Sequence, residues 1–308
     1  MSGRTGLWRS ARLLVVGTVV ALCATLAPTS TVKPTDMSLT KVERATTVDV
    51  TDGGADVVWI MAVGSDARPG EELTRTRGDA LQLIGMDVET GAATSIGIPR
   101  DSYVSIPGYG SDRVNAALYY GGPQLLADTV ADLVGIEPDY VFVTGFPEFK
   151  AMVDGIGGID VDNPRYFDDP YLKPLGFEEG TVHLNGYLAL TFGRIRKSLL
   201  RGDFDRSANQ QLVLRGIAAK LRERAGRPGF IEDGVASAME NMAVNASPTE
   251  MYRLARAAAA VKPSKITSCV LQGSIGDVGG ASVVLPYTDQ AARLGDRARD
   301  DATLESCD

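Results

Sequence analysis

The sequence predicts a layered α/β domain with helices on both faces of a buried sheet. Two observations carry that expectation. Short runs of β-forming residues end at Gly or Pro, and amphipathic helical stretches alternate with them. There is no internal repeat and no low-complexity block.

Taken in order, "DVVWIMAVG" from Asp56 reads as a buried strand closed by Gly64. "DALQLIGMDV" reads as a second strand, and "ATSIGIP" as a third that stops at Pro99. "NAALYYGGPQLLADTVADLVG" is helical with a break near Gly121–Pro123. "DYVFVTG" is a further strand, "PEFKAMVDGIG" a helix and "GIDVD" a short strand. "NGYLALTFG" is a brief helix, residues 203–225 a long one, "EMYRLARAAAAV" another, and "KITSCVLQ" a late strand.

The first 55 residues read differently. Arg4, Arg9 and Arg12 precede an apolar run over residues 13–27, and no acidic residue appears before Asp36. That asymmetry holds the N-terminus in the cytoplasm and sends the rest outward. Residues 1–28 are therefore expected to be a cytoplasmic tail and single-span membrane anchor, although the run is short for a span. A cleaved signal peptide is the alternative, since Thr25 and Ala27 are small residues at the right offset. Pro28 directly after the cut speaks against it. Residues 29–55, rich in Thr, Ser, Asp and Gly, read as an extracytoplasmic linker.

The chain has 308 residues, 44% of them hydrophobic, enough for a full core in one large or two modest domains. Its net charge is −8, and four of its 31 basic residues but none of its 39 acidic ones precede Asp36. The exported part thus balances 27 basic against 39 acidic residues, or −12. Nucleic acid, which is bound through phosphate contacts and counterion release, is not the expected partner. Cys269 and Cys307 both fall in that part, where oxidation is favoured. A disulfide and a pair of free thiols both remain open.

Several chemistries are excluded. The one histidine, His183 in "GTVHLNG", has no triad partner in the sequence and reads as a turn or strand residue. Clustered Cys and His for zinc are missing, as are the glycine loops of ordinary nucleotide sites. What remains is Asp, Arg and backbone, an inventory that suits phosphoryl chemistry assisted by a hard divalent metal.

"GRIRKSLLRGDFDRSANQQ", residues 193–211, gathers four arginines and a lysine in an acidic chain. On the helix from Asp203, positions 203, 206, 210, 214, 217 and 221 recur at helical spacing and read Asp, Arg, Gln, Leu, Ile, Leu. The upper, polar part of that stripe needs partners if it points inward. Arg194 and Arg196, two apart in extended chain, would point the same way. Asp66 and Arg68 follow the first strand, Arg77 and Asp79 lead into the second, and Arg100 and Asp101 close the third. Ligands of open α/β sheets collect at such strand ends. Two carboxylates there can hold Mg²⁺, and arginine forks take the remaining phosphate oxygens.

The ordered set "GSDAR", "RTRGDA", "SIGIPRDSYVSIPGYGSDRVNAA", "GIEPDYVFVTGF", "VDGIGGIDVD", "HLNGYLALTFGRIR" and "GDFDRSANQQ" resembles the LytR-CpsA-Psr family over roughly residues 56–225. The resemblance implies a three-layer αβα sandwich with a mixed central β-sheet and a hydrophobic lipid-binding pocket. It implies an extracytoplasmic, membrane-anchored enzyme that moves a glycopolymer from a polyprenyl-pyrophosphate carrier to peptidoglycan, leaving a phosphodiester. The metal-binding carboxylates would be Asp66 and Asp79, holding Mg²⁺. Arg77, Arg100, Arg194, Arg196, Arg206 and Gln210 would bind pyrophosphate, with Arg113 and Asn115 of "DRVN" beside them. Arg100, Arg196 and Arg206 would act catalytically, and Asp101 is a candidate to assist the attacking hydroxyl.

This chain departs from the family pattern in carrying Gly78 and Ala80 where hydroxyl residues usually flank the Asp. It has Arg113 for Lys and Asn209 where Arg is frequent. Residues 56–308 read as one catalytic domain, with 226–308 continuing the fold. Apolar residues of the 114–134 and 203–225 helices would wrap the isoprenoid tail or form plain core. A pyrophosphatase that admits water and a non-catalytic polyprenyl-phosphate carrier are the rival readings.

Overall fold

The computed structural model describes residues 37–43, 57–68 and 70–308. The expected anchor and much of the expected linker lie outside them. The chain opens with β1 (Met37–Lys41), then runs through β2 (Val57–Ser65), β3 (Gly78–Asp87) and β4 (Ala93–Gly97). A hairpin of β5 (Tyr103–Ile106) and β6 (Gly110–Arg113) leads into helix α1 (Ala116–Val134). β7 (Tyr140–Thr144) and α2 (Phe146–Gly155) follow. Four short strands, β8 (Ile159–Asn163), β9 (Phe167–Asp169), β10 (Lys173–Phe177) and β11 (Gly180–Leu184), pair as β8 with β11 and β9 with β10. Next come α3 (Gly186–Arg194) and the long α4 (Asp203–Ala225). The chain then forms α5 (Phe230–Asn241), β12 (Ala243–Val244), α6 (Pro248–Ala260) and β13 (Ile266–Val270). A hairpin of β14 (Gly273–Val278) and β15 (Ala281–Pro286) precedes α7 (Thr288–Ala298).

Seven strands make one mixed sheet in the order β12-β1-β7-β2-β3-β4-β13. β2 runs parallel to β7 but antiparallel to β3, and β3 antiparallel to β4. Alternation along β2 shows why both faces need helices. Val57, Trp59, Met61 and Val63 enter a core shared with α1 and α7, whereas Val58 and Ile60 enter clusters shared with α6. Met61, Leu81, Leu83 and Ile96 are fully buried on the first face, and each contributes about 1.5–3 kcal/mol by leaving water. The result is the αβα sandwich with a mixed sheet that the family pattern implied.

α1 breaks where the sequence placed the break. Gly122 takes φ 73° and ψ −161° inside the helix, a conformation open to glycine, and Pro123 starts the second half without needing a donor. Its Leu118, Leu126 and Val130 are core against the sheet.

β1 is a difference from the sequence reading. Residues 37–41 belong to the stretch read as linker, yet they pair with β7 on one side and β12 on the other. "MSLTK" is too short for a periodic signal, and both partners lie far along the chain. Lys41 then ties the strand to α6 through an ion pair with Glu250 at 2.7 Å.

A second cluster sits beside the sandwich. Phe167, Phe177 and Phe192 pack with ring centroids 4.9–5.3 Å apart, joined by Val213 of α4. His183 on β11 faces Asp160 on β8 across the strand pair, exposed, at 2.8 Å. At the far edge Cys269 of β13 is disulfide-bonded to Cys307. Closing a 38-residue separation this way restrains the unfolded chain by roughly 4 kcal/mol in the loop-entropy model.

Candidate active site

The site is built at one end of the sheet. Because β2 and β3 are antiparallel, with Ser65 opposite Gly78, the C-terminal end of one and the start of the other are neighbours. Asp66 and Asp79 therefore stand at adjacent strand ends. Arg100 and Asp101 follow β4 at the same end.

α4 is pinned over these ends by buried amides. Gln82 on β3 donates to the Ser207 hydroxyl at 3.0 Å and to Gln210 Oε1 at 3.2 Å, and Gln211 donates to the Ser95 and Cys269 carbonyls. Gly97 makes the approach possible, since a Cβ there would lie 2.3 Å from Ser207 Oγ. These contacts correct the single stripe drawn from the sequence. Ser207 and Gln211 face the sheet, Asp203 and Arg206 face the strand ends, and Leu212, Val213, Ile217 and Leu221 face the second cluster. A helix wedged between two bodies is buried on more than one side, so one stripe does not describe it.

Asp203 is the pivot. Its carboxylate meets Arg206 at 3.0 Å and Arg196 at 3.3 Å. Asp101 lies close by, 3.5 Å from Arg113 and 3.8 Å from both Arg100 and Arg196. Arg100 in turn is ion-paired to Asp79. A chain of alternating charge thus runs from Asp79 through Arg100, Asp101 and Arg196 to Asp203 and Arg206.

Burial and the Asp203 charge push the Asp101 carboxyl above its ordinary range, against the pull of Arg100 and Arg113. Partial burial and then Asp79 raise that of Asp66. Burial would lower the Arg100 guanidinium, but Asp79 and Asp101 more than offset it, leaving the group raised. Burial holds Arg206 below its ordinary value despite Asp203. The inner part of the site, around Asp101, Asp203 and Arg206, is thus largely shielded from solvent and crowded with both signs.

Two cavities meet at Asp101. The first, about 740 Å³, is lined by Asp66, Arg77, Asp79, Arg100, Asp101, Arg113 and Asn115 among others. Seven of the residues expected from the sequence therefore share one wall. The second, about 540 Å³, is lined by Asp101, Arg196 and Asp203 on one side and by Ile275, Val283 and Val284 of the β14–β15 hairpin on the other. The hairpin is docked there by the Val284 amide, which donates to the Asp101 carbonyl at 2.9 Å.

Other expected residues fall differently. Gln210 donates to the Gly193 carbonyl at 3.1 Å and accepts from Gln82, so it braces α3 against α4. Arg194 and Arg196 do not point together. Arg194 ends α3 and stacks on the Phe146 ring at 4.5 Å, whereas Arg196 reaches Asp101 and Asp203. The alternation argument fails there because the chain is leaving a helix rather than running as a strand. None of Arg194, Arg206 and Gln210 lines either cavity, Arg206 standing behind Asp203.

Arg68, named beside Asp66 in the sequence, also lines the first cavity, whereas sequence reasoning did not single out its Glu71, Glu72, Arg75, Thr76 or Tyr119, nor the hairpin of the second. Asp203 was visible, since it shares the helical spacing of Arg206 and Gln210.

Fold and site together define an α/β sandwich with a cavity of arginines and carboxylates over its strand ends. The LytR_cpsA_psr family pattern matches residues 24–300, and the chain belongs to that family. The polyisoprenyl-teichoic acid–peptidoglycan teichoic acid transferase TagU of a Bacillus cereus strain is 30% identical over 241 residues, covering 78% of this chain and 77% of its own. The probable cell wall biosynthesis protein LcpB of Corynebacterium glutamicum is 30% identical over 293 residues, covering 89% of this chain and 67% of its own. The fold is similar to that of B. subtilis TagT (YwtF), a LytR-CPS2A-psr family protein solved with bound octaprenyl pyrophosphate lipid. That match has a TM-score of 0.63 at 23% identity and covers 85% of this chain and 95% of the other.

Proposed function

We propose that this protein is a glycopolymer transferase of cell-wall assembly. It moves a glycan from a polyprenyl-pyrophosphate carrier to a sugar hydroxyl of peptidoglycan and leaves a phosphodiester. The observation that carries this reading is the first cavity, where Arg77, Arg100 and Arg113 surround a space closed by Asp66, Asp79 and Asp101. With Arg68 and Arg75 the same cavity holds five guanidinium groups, and such a concave site suits a pyrophosphate, whose oxygens they take as bidentate forks. The transferase name of TagU and the lipid bound to TagT support the same substrate class.

Asp66 and Asp79 fit Mg²⁺, because both are hard oxygen donors at adjacent strand ends, and burial first and the Asp79 charge second raise Asp66. A bound Mg²⁺ would neutralise charge on the pyrophosphate. Arg100, already paired to Asp79, orients the oxygens beside that point. The acceptor hydroxyl enters from the second cavity and its oxygen bonds to the glycan-bearing phosphorus. The phosphoanhydride bond breaks, and polyprenyl phosphate leaves with the electron pair. Asp101 stands where the cavities meet and has a raised proton affinity, so it receives the hydroxyl proton. Arg196, contacting both Asp101 and Asp203, bridges the two carboxylates and offsets the charge that develops.

In this reading residues 1–28 anchor the protein and the catalytic domain faces outward. Among the described residues no helix is long and apolar enough to cross a membrane.

Mass spectrometry of lipid extracted from the purified full-length protein tests the substrate class. A polyprenyl phosphate or pyrophosphate is the expected species. Consistent recovery of bulk phospholipid alone would count against the reading.

A further inference from the structure

One wall of the first cavity is not explained by phosphate chemistry. Tyr119 lines that cavity and is 56% exposed. Its ring meets Tyr120 edge-on, with centroids 5.7 Å apart, and Tyr120 lies parallel to Tyr109 at 5.0 Å and 4°. Tyr109 is itself 57% exposed. The cluster is fixed rather than loose. The Tyr120 hydroxyl donates to Asp112 at 2.7 Å, and the Tyr120 carbonyl accepts from Arg75 at 3.1 Å and from the Tyr109 hydroxyl at 3.3 Å.

Exposed aromatic rings held in place beside a polar cavity mark a binding surface more often than a folding need. Their negative faces do not attract phosphate. A prenyl tail would want continuous apolar lining, yet the neighbours of Tyr119 in this cavity include Glu71, Glu72, Arg75 and Thr76. Aromatic faces rimmed by hydrogen-bonding groups match a pyranose ring instead. Its C–H face is weakly positive and packs on the ring, while its hydroxyls reach the polar rim.

We propose that Tyr119 binds the sugar attached directly to the pyrophosphate. This rests on the proposed function, and the test separates the two.

The full-length protein is titrated with two probes, farnesyl pyrophosphate and the same molecule carrying one N-acetylhexosamine on its terminal phosphate. The wild type should bind the sugar-bearing probe more tightly. Tyr119→Ala should weaken that probe alone, by roughly tenfold at most, while Tyr119→Phe, which keeps the ring, should bind as wild type. Equal weakening of both probes, or no change in either, would overturn the sugar role while leaving the pyrophosphate site standing. Failure of the wild type to bind either probe would overturn the underlying function, and the sugar role with it.

Discussion

Arg196 and Arg206 both contact Asp203, but their surroundings differ, and so should their variants. The Arg196 side chain is 43% exposed and that of Arg206 10%. Arg196→Ala should cost turnover by roughly ten- to a hundredfold, the value of one charge-assisted contact, with thermal stability near wild type. Arg206→Ala should lose turnover and also destabilise the fold by about 1–3 kcal/mol, because it leaves the Asp203 carboxylate buried beside one partner. Kinetics and thermal melts of the two variants check this. Activity retained in both would make the arginines structural. The carboxylates give a second test. Asp79→Asn should reduce transfer and raise the Mg²⁺ concentration needed for half-maximal rate, with excess metal restoring part of it. Gly78 and Ala80 offer no hydroxyl to compensate. Unchanged wild-type transfer in chelator would remove the metal from the account. Asp79 was legible because Asp and Arg recur together at strand ends, and Arg196 and Arg206 because they crowd into residues 193–211 of an acidic chain. Asp203 as common partner of two arginines was not, since that depends on how α4 is tilted.

At the scale of elements, the tie between β1 and α6 makes a pH-dependent contribution. Glu250 closes a capping box with Ser247 and accepts from Lys41. The Lys41 contact first, and the Ser247 bonds second, lower its carboxyl to about 2 from the usual 4.5. A depressed carboxylate stabilises the fold above its unfolded value and loses that contribution as pH falls through the folded one. The stability difference between wild type and Glu250→Gln should therefore be full at neutral pH and shrink below about pH 4.5. Urea unfolding midpoints across that range measure it, and a difference independent of pH would contradict the assignment. The strands and helices with strong periodicity, such as β2 and α4, were legible to within a residue or two. β1, α5, the β9–β10 and β14–β15 pairs and α7 were not. Their stability comes from partners far along the chain, as when Ala291 and Leu294 of α7 join the core that holds Val134.

For the molecule as a whole, the sheet brings the ends of β2, β3 and β4 to one side, and α4 and the β14–β15 hairpin close over them. Two cavities share Asp101 in their linings, and in the proposed function one takes the lipid-linked donor and the other the acceptor. The family was legible from ordered motifs alone, whereas the second cavity was not, because the hairpin that walls it carries none of them. The central claim is transfer to peptidoglycan rather than hydrolysis. The most direct measurement is mass analysis of products after incubating the full-length protein with a polyprenyl-pyrophosphate-linked glycan, with and without peptidoglycan. The account predicts a phosphodiester-linked glycan–peptidoglycan product and polyprenyl phosphate, formed together and only when the acceptor is present. Glycan phosphate released into water at the same rate in both samples would contradict it.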